Sequence, residues 1–358
     1  MPVKRKGGGG REFQWIRWIR SLESRPASPA FPLSIGDDAA IWTPGKGLSV
    51  VLSVDAQVEG VHFRRDWLTL REIGERAVTS SVSDLAAMAA RPAAILVSIV
   101  LSPETSDAQF RQLHGGLHRS ARSYGIRIIG GNLSSGPLSI AVTAVGEGRA
   151  SELVRRSGAR AGDDIWVTGH PGLARLGLRT LALGSARTHS GLTVADRVLL
   201  KRAIAAFVSP RARLKESQAI SKALLPTAMI DLSDGLGSDL AHILEESTTA
   251  SGHSLGAEVW EEPLSGEESF DRVARALGET GVGTALEGGE DYELCFTTKP
   301  GAHLEQKVGE LSRRLKLRIT KIGRIVARRG LRLVDSRGKI RKVVKRGWDH
   351  FHGGRVGP

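Results

Sequence analysis

Acidic side chains surround the first strongly apolar run of the chain. Asp38 lies shortly before this run, which covers residues 48–52, and Asp55 follows it. A short apolar run of this kind is typical of a buried strand. Carboxylates are costly to bury unless they are paired or hold a cation. Acids around such a strand therefore indicate a site for hard cations, which prefer oxygen ligands.

Another acid lies inside an alanine-rich segment that predicts one long helix over residues 70–90. Ser83 and Asp84 are poor helix formers, because their side chains compete for backbone hydrogen bonds. Either they cap a new helix or they are kept for chemistry. Taken alone, the pair favours the helix-cap interpretation.

The later acids also lie at predicted strand ends. Asp231 and Asp234 stand three residues apart at a strand-to-helix turn, where they could face one point or one of them could be a helix cap. Glu290 and Asp291 precede a strand predicted over residues 292–297. Several carboxylates around one cleft would repel each other strongly without cations.

Glycines follow two of the predicted strands. Gly130 and Gly131 come directly after a strand predicted over residues 126–129, which suits either a close backbone approach to a ligand or a plain tight turn. Gly169 and Gly172 separate a strand from a helix, where a loop can cradle phosphate. Their spacing is a weak signal, and the sequence contains no Walker A motif.

Length and composition favour two α/β domains. The chain has 358 residues, of which 41% are hydrophobic, and both halves alternate predicted strands with helices. A polar, basic stretch at 148–162 suggests the boundary, with one domain over residues 13–150 and another over 151–358. We expect a disordered basic tail over residues 1–12.

The chain is strongly basic, with a formal net charge of +13. Between residues 313 and 346 there are 15 Lys and Arg and a single acid, Asp335. A basic chain suits nucleic acid, a membrane surface or phosphorylated small molecules. Apolar residues rather than stacking aromatics interrupt the basic run, which argues against nucleic acid and favours a solvated face.

The expected compartment is a reducing one. The lone cysteine, Cys295, can form no intrachain disulfide, which fits the cytoplasm. No run reaches the roughly 18 apolar residues of a membrane span, and the N-terminal residues contain no apolar signal core. We therefore expect a cytoplasmic protein without membrane contact.

The acidic strand ends favour metal-assisted phosphoryl transfer over other chemistries. No Ser-His-Asp or Cys-His set stands out, and no Cys/His zinc spacing exists. Magnesium uses one or two carboxylates, keeps waters and meets substrate phosphates. Phosphoryl transfer needs such metals to neutralise charge, and it needs little covalent help from the protein.

Five segments come in the order and spacing of thiamine-monophosphate kinases, and the chain resembles this family from about residue 13 to residue 351. The wider superfamily, which includes aminoimidazole-ribonucleotide synthetase, shares the acidic strand ends and the fold. The combination of the His62 loop, the helix with Ser83 and Asp84, and the last of the five segments resembles the thiamine branch. The segments are GDDAA at 36–40, Asp55 with EGVHF at 59–63, SDLAAM at 83–88, DLSDGL at 231–236 and GGEDYEL at 288–294.

The resemblance implies ATP-dependent phosphorylation of thiamine monophosphate to thiamine diphosphate. The family transfers the phosphoryl group directly and in line, with several Mg²⁺ ions and no catalytic side chain. The implied fold is α/β (α+β) in two domains, aminoimidazole-ribonucleotide synthetase-like. The N-terminal mixed sheet would form a barrel with a second subunit of a homodimer, and the C-terminal domain would be an α/β sandwich.

The resemblance also implies roles for individual residues. The expected metal ligands are Asp38, Ser53, Asp55, Asp84, Asn132, Asp231 and Asp234. The expected nucleotide contacts are Gly131, Asn132, Arg156 and Ser233. The expected thiamine contacts are His62, Glu290 and Trp348, whose indole could stack on a pyrimidine or thiazolium ring.

Two positions depart from the family pattern. Val54 stands where the family has Thr, and Asn132 stands where it has Asp. In the family both positions serve the same metal, so we expect one Mg²⁺ site to be weakened. Two alternatives stay open: a superfamily member that uses ATP on another substrate, such as a formylglycinamidine-type ribonucleotide or a carbamoylated maturation factor, and a kinase-inactive homologue that binds nucleotide or nucleic acid.

Overall fold

The chain divides into two compact units. One unit comprises Met1–Val78 and Pro92–Glu147, and the other comprises Thr79–Arg91 and Gly148–Pro358. Among the residues whose positions are described, no helix is both long and apolar enough to cross a membrane. The structure, a computed structural model, describes residues 11–23, 28–35, 38–184, 191–266 and 268–343.

The first unit is built on a four-stranded sheet. Its elements in chain order are α1 (Arg11–Glu23), β1 (Ser49–Val58), α2 (Leu70–Ala87), β2 (Arg91–Leu101), α3 (Asp107–Ser123), β3 (Arg127–Ser135) and β4 (Ser139–Gly148). The strand order is β1-β4-β2-β3, and β2 runs parallel to β3. The second half of α2 belongs to the second unit.

The strand predicted to be buried lies at an edge of this sheet. Along β1 only Val51 and Gln57 are buried, whereas Leu52 is 66% exposed and Val54 is 62% exposed. The prediction of a buried strand is wrong, because an apolar run does not show whether both faces of a strand are covered.

Two local interpretations are also wrong. Ser83 and Asp84 lie inside α2 rather than at the start of a new helix. The glycines after the strand predicted over residues 126–129 form no tight turn, since β3 runs through Gly130 and Gly131. A Cβ atom on Gly131 would lie 1.8 Å from the carbonyl oxygen of Val97 on β2. The close approach of two strands therefore requires glycine at this position.

α1 packs on α3 through aromatic side chains. The indole of Trp15 stacks on Phe110 with ring centroids 4.2 Å apart and donates a hydrogen bond to Asp107 at 2.8 Å. Near the end of α1, the Glu23 carboxylate lies 2.6 Å from Nδ1 of His118. α1 begins at Arg11, inside the tail predicted over residues 1–12, of which residues 1–10 lie outside the described part.

The second unit is built on a seven-stranded mixed sheet with helices packed against it. Its elements are β5 (Asp164–Thr168), α4 (Leu173–Leu183), α5 (Val194–Val208), α6 (Leu214–Leu224), β6 (Ala228–Asp231), α7 (Leu236–Ser251), β7 (Gly256–Trp260), α8 (Glu261–Ser265), α9 (Glu268–Ala276), α10 (Gly281–Glu287), β8 (Leu294–Thr298), α11 (Leu304–Leu315), β9 (Ile319–Val326), β10 (Gly330–Val334) and β11 (Ile340–Lys342).

The strand order of this sheet is β11-β10-β7-β9-β5-β8-β6. β10 pairs in parallel with β7, and the pairs β5–β8, β6–β8 and β10–β11 are antiparallel. Leu236, Leu240 and Ile243 of α7 join the strands in one buried cluster. α4, α5 and α9 share a second cluster that includes Leu176 and Phe270. The predicted mixed α/β class is confirmed as a two-sheet fold, and the domain limits drawn from the sequence stay a prediction.

α2 and α3 touch backbone to backbone within the first unit. A Cβ atom on Gly74 of α2 would lie 2.3 Å from the carbonyl oxygen of Leu113, and one on Gly116 of α3 would lie 2.0 Å from that of Arg71. The neighbouring Gly115 has no described atom within 4 Å of an added Cβ. Two adjacent glycines of one helix therefore serve different purposes.

We expect Gly116→Ala to lower the free energy of unfolding by about 1–3 kcal/mol, because the added methyl group overpacks the helix contact. Gly115→Ala is the matched control and should raise the free energy of unfolding by up to about 1 kcal/mol, through helix propensity alone. Urea unfolding followed by circular dichroism measures both variants. Equal stabilities of the two variants would contradict the helix contact.

Candidate active site

The acidic turn after β6 is folded around the carboxylate of Asp239. β6 ends at the buried Asp231, and Gly235, with φ 109°, leads into α7. Asp239 lies in the first turn of that helix, and its Oδ2 accepts hydrogen bonds from the N–H groups of Ser233, Asp234 and Gly235 at 3.1, 3.2 and 3.1 Å. Converging N–H groups of this kind favour a negative charge.

The carboxylates of this turn are crowded. Burial, followed by the charges of Asp231 and Asp234, raises the pKa of Asp239 to about 8, while the N–H groups of Asp234 and Gly235 act in the opposite direction. A cation bound by Asp231 and Asp234 would remove the repulsion that they exert on Asp239. The turn therefore has the charge distribution that suits a bound cation.

Ser83 of α2 holds one member of this turn. Its buried hydroxyl donates a hydrogen bond to Oδ2 of Asp231 at 2.7 Å. The next residue, Asp84, is half-buried. Ser83 thus has a role that the helix-cap interpretation did not predict, because its partner lies 148 positions further along the chain.

The glycine-rich loop at 288–293 pairs with the acidic turn. β6 and β8 are antiparallel neighbours, with Asp231 opposite Leu294, so the segment that ends one strand meets the segment that precedes the other. The N–H of Glu290 donates to the carbonyl of Ser233 at 2.8 Å, and the N–H of Tyr292 donates to that of Leu232 at 2.8 Å. The expected substrate residue Glu290 and the expected nucleotide residue Ser233 therefore meet through their backbones.

The same loop has an unusual backbone. Glu290 has φ 66° and Tyr292 has φ 50°, values in the left-handed region that residues with a Cβ seldom adopt. Such conformations cost on the order of 1–3 kcal/mol each and tend to occur at ligand-binding loops. We interpret the loop as a functional segment that its neighbours hold in place.

Asp291, which the sequence placed among the clustered acids without a specific role, is one of the groups that hold the loop. Its carboxylate accepts hydrogen bonds from the N–H of Gly172 at 2.5 Å and from that of Ala174 at 2.9 Å, at the start of α4. Burial raises the pKa of Asp291 to about 8. The glycine loop that could have held a phosphate thus binds a carboxylate of the chain itself.

Glu293 anchors the end of this loop and was missed by sequence reasoning. It is buried, and it accepts hydrogen bonds from the hydroxyl of Thr168 at 2.6 Å and from Nε of Arg213 at 2.8 Å. Its partners come from β5 and from the residue before α6. A carboxylate with partners this far apart in the sequence gives no local signal.

The expected site residues of the first unit are exposed or half-buried. Ser53 and Asp55, two positions apart on β1, share one face of that strand and are half-buried, whereas Asp38 is exposed. Asn132 lies on β3 and is exposed. Two strands separate β1 from β3, so the sheet does not make Asn132 a neighbour of Asp55.

The remaining predicted residues lie in three different settings. His62 is half-buried, and its Nδ1 accepts a hydrogen bond from the N–H of Val58 at 3.1 Å. Arg156 is exposed and follows Arg155, whose carbonyl accepts from the N–H of Met229 in β6 at 2.9 Å. Trp348 lies outside the described residues.

No three carboxylate, imidazole or thiol groups among the described residues are placed to hold a metal ion by themselves. A magnesium site needs only one or two carboxylates, since waters and phosphate oxygens complete its octahedral shell. The assignment of the seven expected metal ligands stays a prediction.

Comparison with known proteins gives the class first. Residues 36–147 match the family of AIR synthase related proteins, N-terminal domain. A thiamine-monophosphate kinase of Synechococcus elongatus is 37% identical over 271 residues, which cover 74% of this chain and 77% of the relative. The chain belongs to the thiamine-monophosphate kinase family, as predicted.

Solved structures support the same grouping. The crystal structure of thiamine-monophosphate kinase from Stenotrophomonas maltophilia is 32% identical, covers 89% of this chain and 94% of its own, and has a TM-score of 0.74. AaThiL complexed with AMPPCP and TMP is 29% identical, covers 95% of this chain and 97% of its own, and has a TM-score of 0.70.

We expect Asp291→Asn to lower the free energy of unfolding by about 1–3 kcal/mol, because one backbone N–H at the start of α4 would face an amide NH₂ instead of an oxygen. Glu305→Gln is the matched control: its side chain is 78% exposed, and its removal should change stability by less than about 0.5 kcal/mol. Urea unfolding at pH 7.5 compares the two. An Asp291→Asn variant as stable as the control would show that the contact does not hold the loop.

Proposed function

We propose that this chain transfers the terminal phosphoryl group of ATP to the phosphate of thiamine monophosphate, giving ADP and thiamine diphosphate. The observation that carries the proposal is the pairing of the acidic turn with the glycine-rich loop, in a chain that belongs to this family. A relative of known structure binds AMPPCP and TMP, which supports both substrates.

The acceptor of this reaction is itself a phosphate and is largely ionised near neutral pH. It needs no strong general base. Two anions must instead approach each other closely. Magnesium, when bound, would neutralise the phosphate oxygens as charge gathers on them.

The residues proposed to hold Mg²⁺ share oxygen donors, which suits a hard cation. Each supplies a carboxylate, hydroxyl or amide oxygen, and phosphate oxygens and waters would complete the shells. Burial, and after it the charges of Asp231 and Asp234, raises the pKa of Asp239, and this repulsion supports a metal-binding role for its two neighbours in the acidic turn. The proposed ligands are Asp38, Ser53, Asp55, Asp84, Asn132, Asp231 and Asp234.

The substrates would be oriented by residues that the family pattern implies. Glu290, held by the loop described above, would face the cationic thiamine moiety, together with His62 and Trp348. Gly131, Asn132, Arg156 and Ser233 would contact the nucleotide. The weaker Mg²⁺ site expected from Asn132 would fill when the nucleotide is present.

We also propose that the chain forms a homodimer through β1. Val50, Leu52 and Val54 are 46%, 66% and 62% exposed and alternate along the strand, so their side chains share one face. Exposed apolar stripes of this kind are typical of protein interfaces. A second copy of the chain would cover the stripe, as the family resemblance implies.

Purified protein with ATP, Mg²⁺ and thiamine monophosphate should yield ADP and thiamine diphosphate in equal amounts, measured by chromatography. Asp231→Asn should lower kcat on the order of 100-fold through loss of a metal ligand. Glu305→Gln should leave kcat unchanged.

A Mg²⁺ titration in the same assay tests the departure at Asn132, since Asn132→Asp should lower the concentration needed for half-maximal rate. ATP turnover with another phosphorylated acceptor, but none with thiamine monophosphate, would favour a different superfamily substrate. Nucleotide binding without any turnover would favour an inactive homologue.

We expect Leu52→Glu to shift the protein from dimer to monomer in analytical ultracentrifugation, because a buried charge opposes association. Leu225→Glu is the matched control, as Leu225 is 76% exposed at the end of α6 and has no proposed role in the interface. The proposed interface would be contradicted if the wild type is a monomer at 50 μM or if the Leu52→Glu variant is still a dimer.

A further inference from the structure

The outer hairpin of the seven-stranded sheet carries much of the basic run. β11 is the last strand in the sheet order and pairs antiparallel with β10. The turn between β9 and β10 contains Arg328 and Arg329, and the turn between β10 and β11 contains Arg337 and Lys339. The two turns lie at opposite ends of β10.

Several cations of the run are already neutralised. Lys321 lies 2.8 Å from Asp164, Arg324 lies 2.8 Å from Glu258, and Arg341 pairs with Glu261. Arg332 donates hydrogen bonds to the carbonyl groups of residues 328–330. These side chains contribute to the sheet and its turns rather than to a free positive surface.

A second group of cations is exposed and makes no ion pair with any described residue. The one acid of the run, Asp335, accepts hydrogen bonds from the N–H groups of Arg337 and Lys339, both at 2.9 Å, so its carboxylate is used to close the turn. None of the salt bridges among the described residues therefore neutralises a member of this group. Its members are Arg328, Arg329, Arg337, Lys339 and Lys342.

These five cations follow the length of the hairpin. β10 has 5 residues, which at about 3.3 Å per residue span about 17 Å. Lys342 lies opposite Arg332, so it occupies the stretch between the two turns. Phosphates of one strand of a duplex repeat about every 3.4 Å along the axis, so a surface of this length faces about five of them.

The chemistry of the run selects among anionic partners. Residues 313–346 contain no Phe, Trp or Tyr, so the basic run itself supplies no ring on which unpaired bases could stack. Three of the five cations are arginines, which bind phosphate oxygens through two parallel hydrogen bonds. We propose that this hairpin binds the phosphate backbone of double-stranded nucleic acid without reading its sequence, independently of the kinase site.

The proposal reverses the expectation of a merely solvated basic run. Charges on an outer strand also protect a sheet from pairing with other chains. The two explanations predict different behaviour, since edge protection requires no affinity for polyanions.

The test uses a fluorescein-labelled 20-base-pair DNA duplex and fluorescence anisotropy with the full-length chain, at 50 to 300 mM KCl. The wild type should bind with a plot of log K against log salt whose slope lies near −4 to −5, which corresponds to about five phosphate contacts. Arg328→Ala with Arg329→Ala should reduce that slope by about 2 and weaken binding on the order of 60-fold at 100 mM KCl.

The matched control is Arg324→Ala with Arg341→Ala, which lowers the net charge by the same amount but removes cations that are already paired. It should change the slope by less than about 1. Both double variants should keep the wild-type kinase rate, which shows that they fold. If the wild type shows no kinase activity, circular dichroism replaces the kinase rate as the check that both variants fold. The comparison of duplex binding then still tests this proposal.

Three outcomes would overturn the proposal. The first is no binding of the duplex by the wild type at 50 mM KCl. The second is an equal loss of affinity in the two double variants, which would assign binding to overall charge. The third is tight binding to vesicles of phosphatidylserine with none to the duplex, which would assign the hairpin to membranes.

Discussion

The acidic turn after β6 concentrates carboxylates in a partly buried setting, and the proposed site depends on how their charges are compensated. Asp231, Asp234 and Asp239 belong to this turn and the helix that follows it, and burial, followed by the charges of Asp231 and Asp234, opposes a charge on Asp239. The surroundings offset this repulsion with three backbone N–H groups aimed at Asp239 and with the hydroxyl of Ser83 aimed at Asp231. A bound cation would offset the repulsion that remains, which is why we propose that this turn holds Mg²⁺ for phosphoryl transfer.

The glycine-rich loop is held in position by contacts on both of its sides. Its backbone is fastened on one side to the acidic turn and on the other to the start of α4 through Asp291. Glycine is required at Gly289, where an added Cβ would lie 2.6 Å from the carbonyl oxygen of Ser233. The same few contacts fix the position of the loop and of the carboxylates beside it. A substitution that moves the loop should therefore also move these carboxylates.

Local sequence signals predicted much of the second unit and the order of its acidic segments. The strand that ends at Asp231, the helix that follows it and the family were all derivable, because apolar runs, turn residues and motif spacing are local features. Between β7 and β8, the helices α8 and α10 have 5 and 7 residues, which are too few turns to show a helical period.

What the sequence could not supply were the partners that lie far along the chain. Hydrogen bonds join Ser83 to Asp231, Asp291 to the start of α4, and Arg213 to Glu293, and each pair is 80 or more positions apart in the sequence. The exposed face of β1 was missed for a related reason, because coverage of a strand depends on what packs against it. The sequence also did not show which cations of the basic run form ion pairs with described residues, because their acidic partners lie far along the chain.

The left-handed backbone at Glu290 and Tyr292 bears on how this protein would respond to laboratory evolution. Glycine at Glu290 would adopt this conformation without strain, but it would also remove a carboxylate from a loop whose strain is retained for its task. Tyr292 differs, because it is 5% exposed and glycine there would remove a buried ring. Selection for heat resistance and selection for turnover should therefore pull Glu290 in opposite directions.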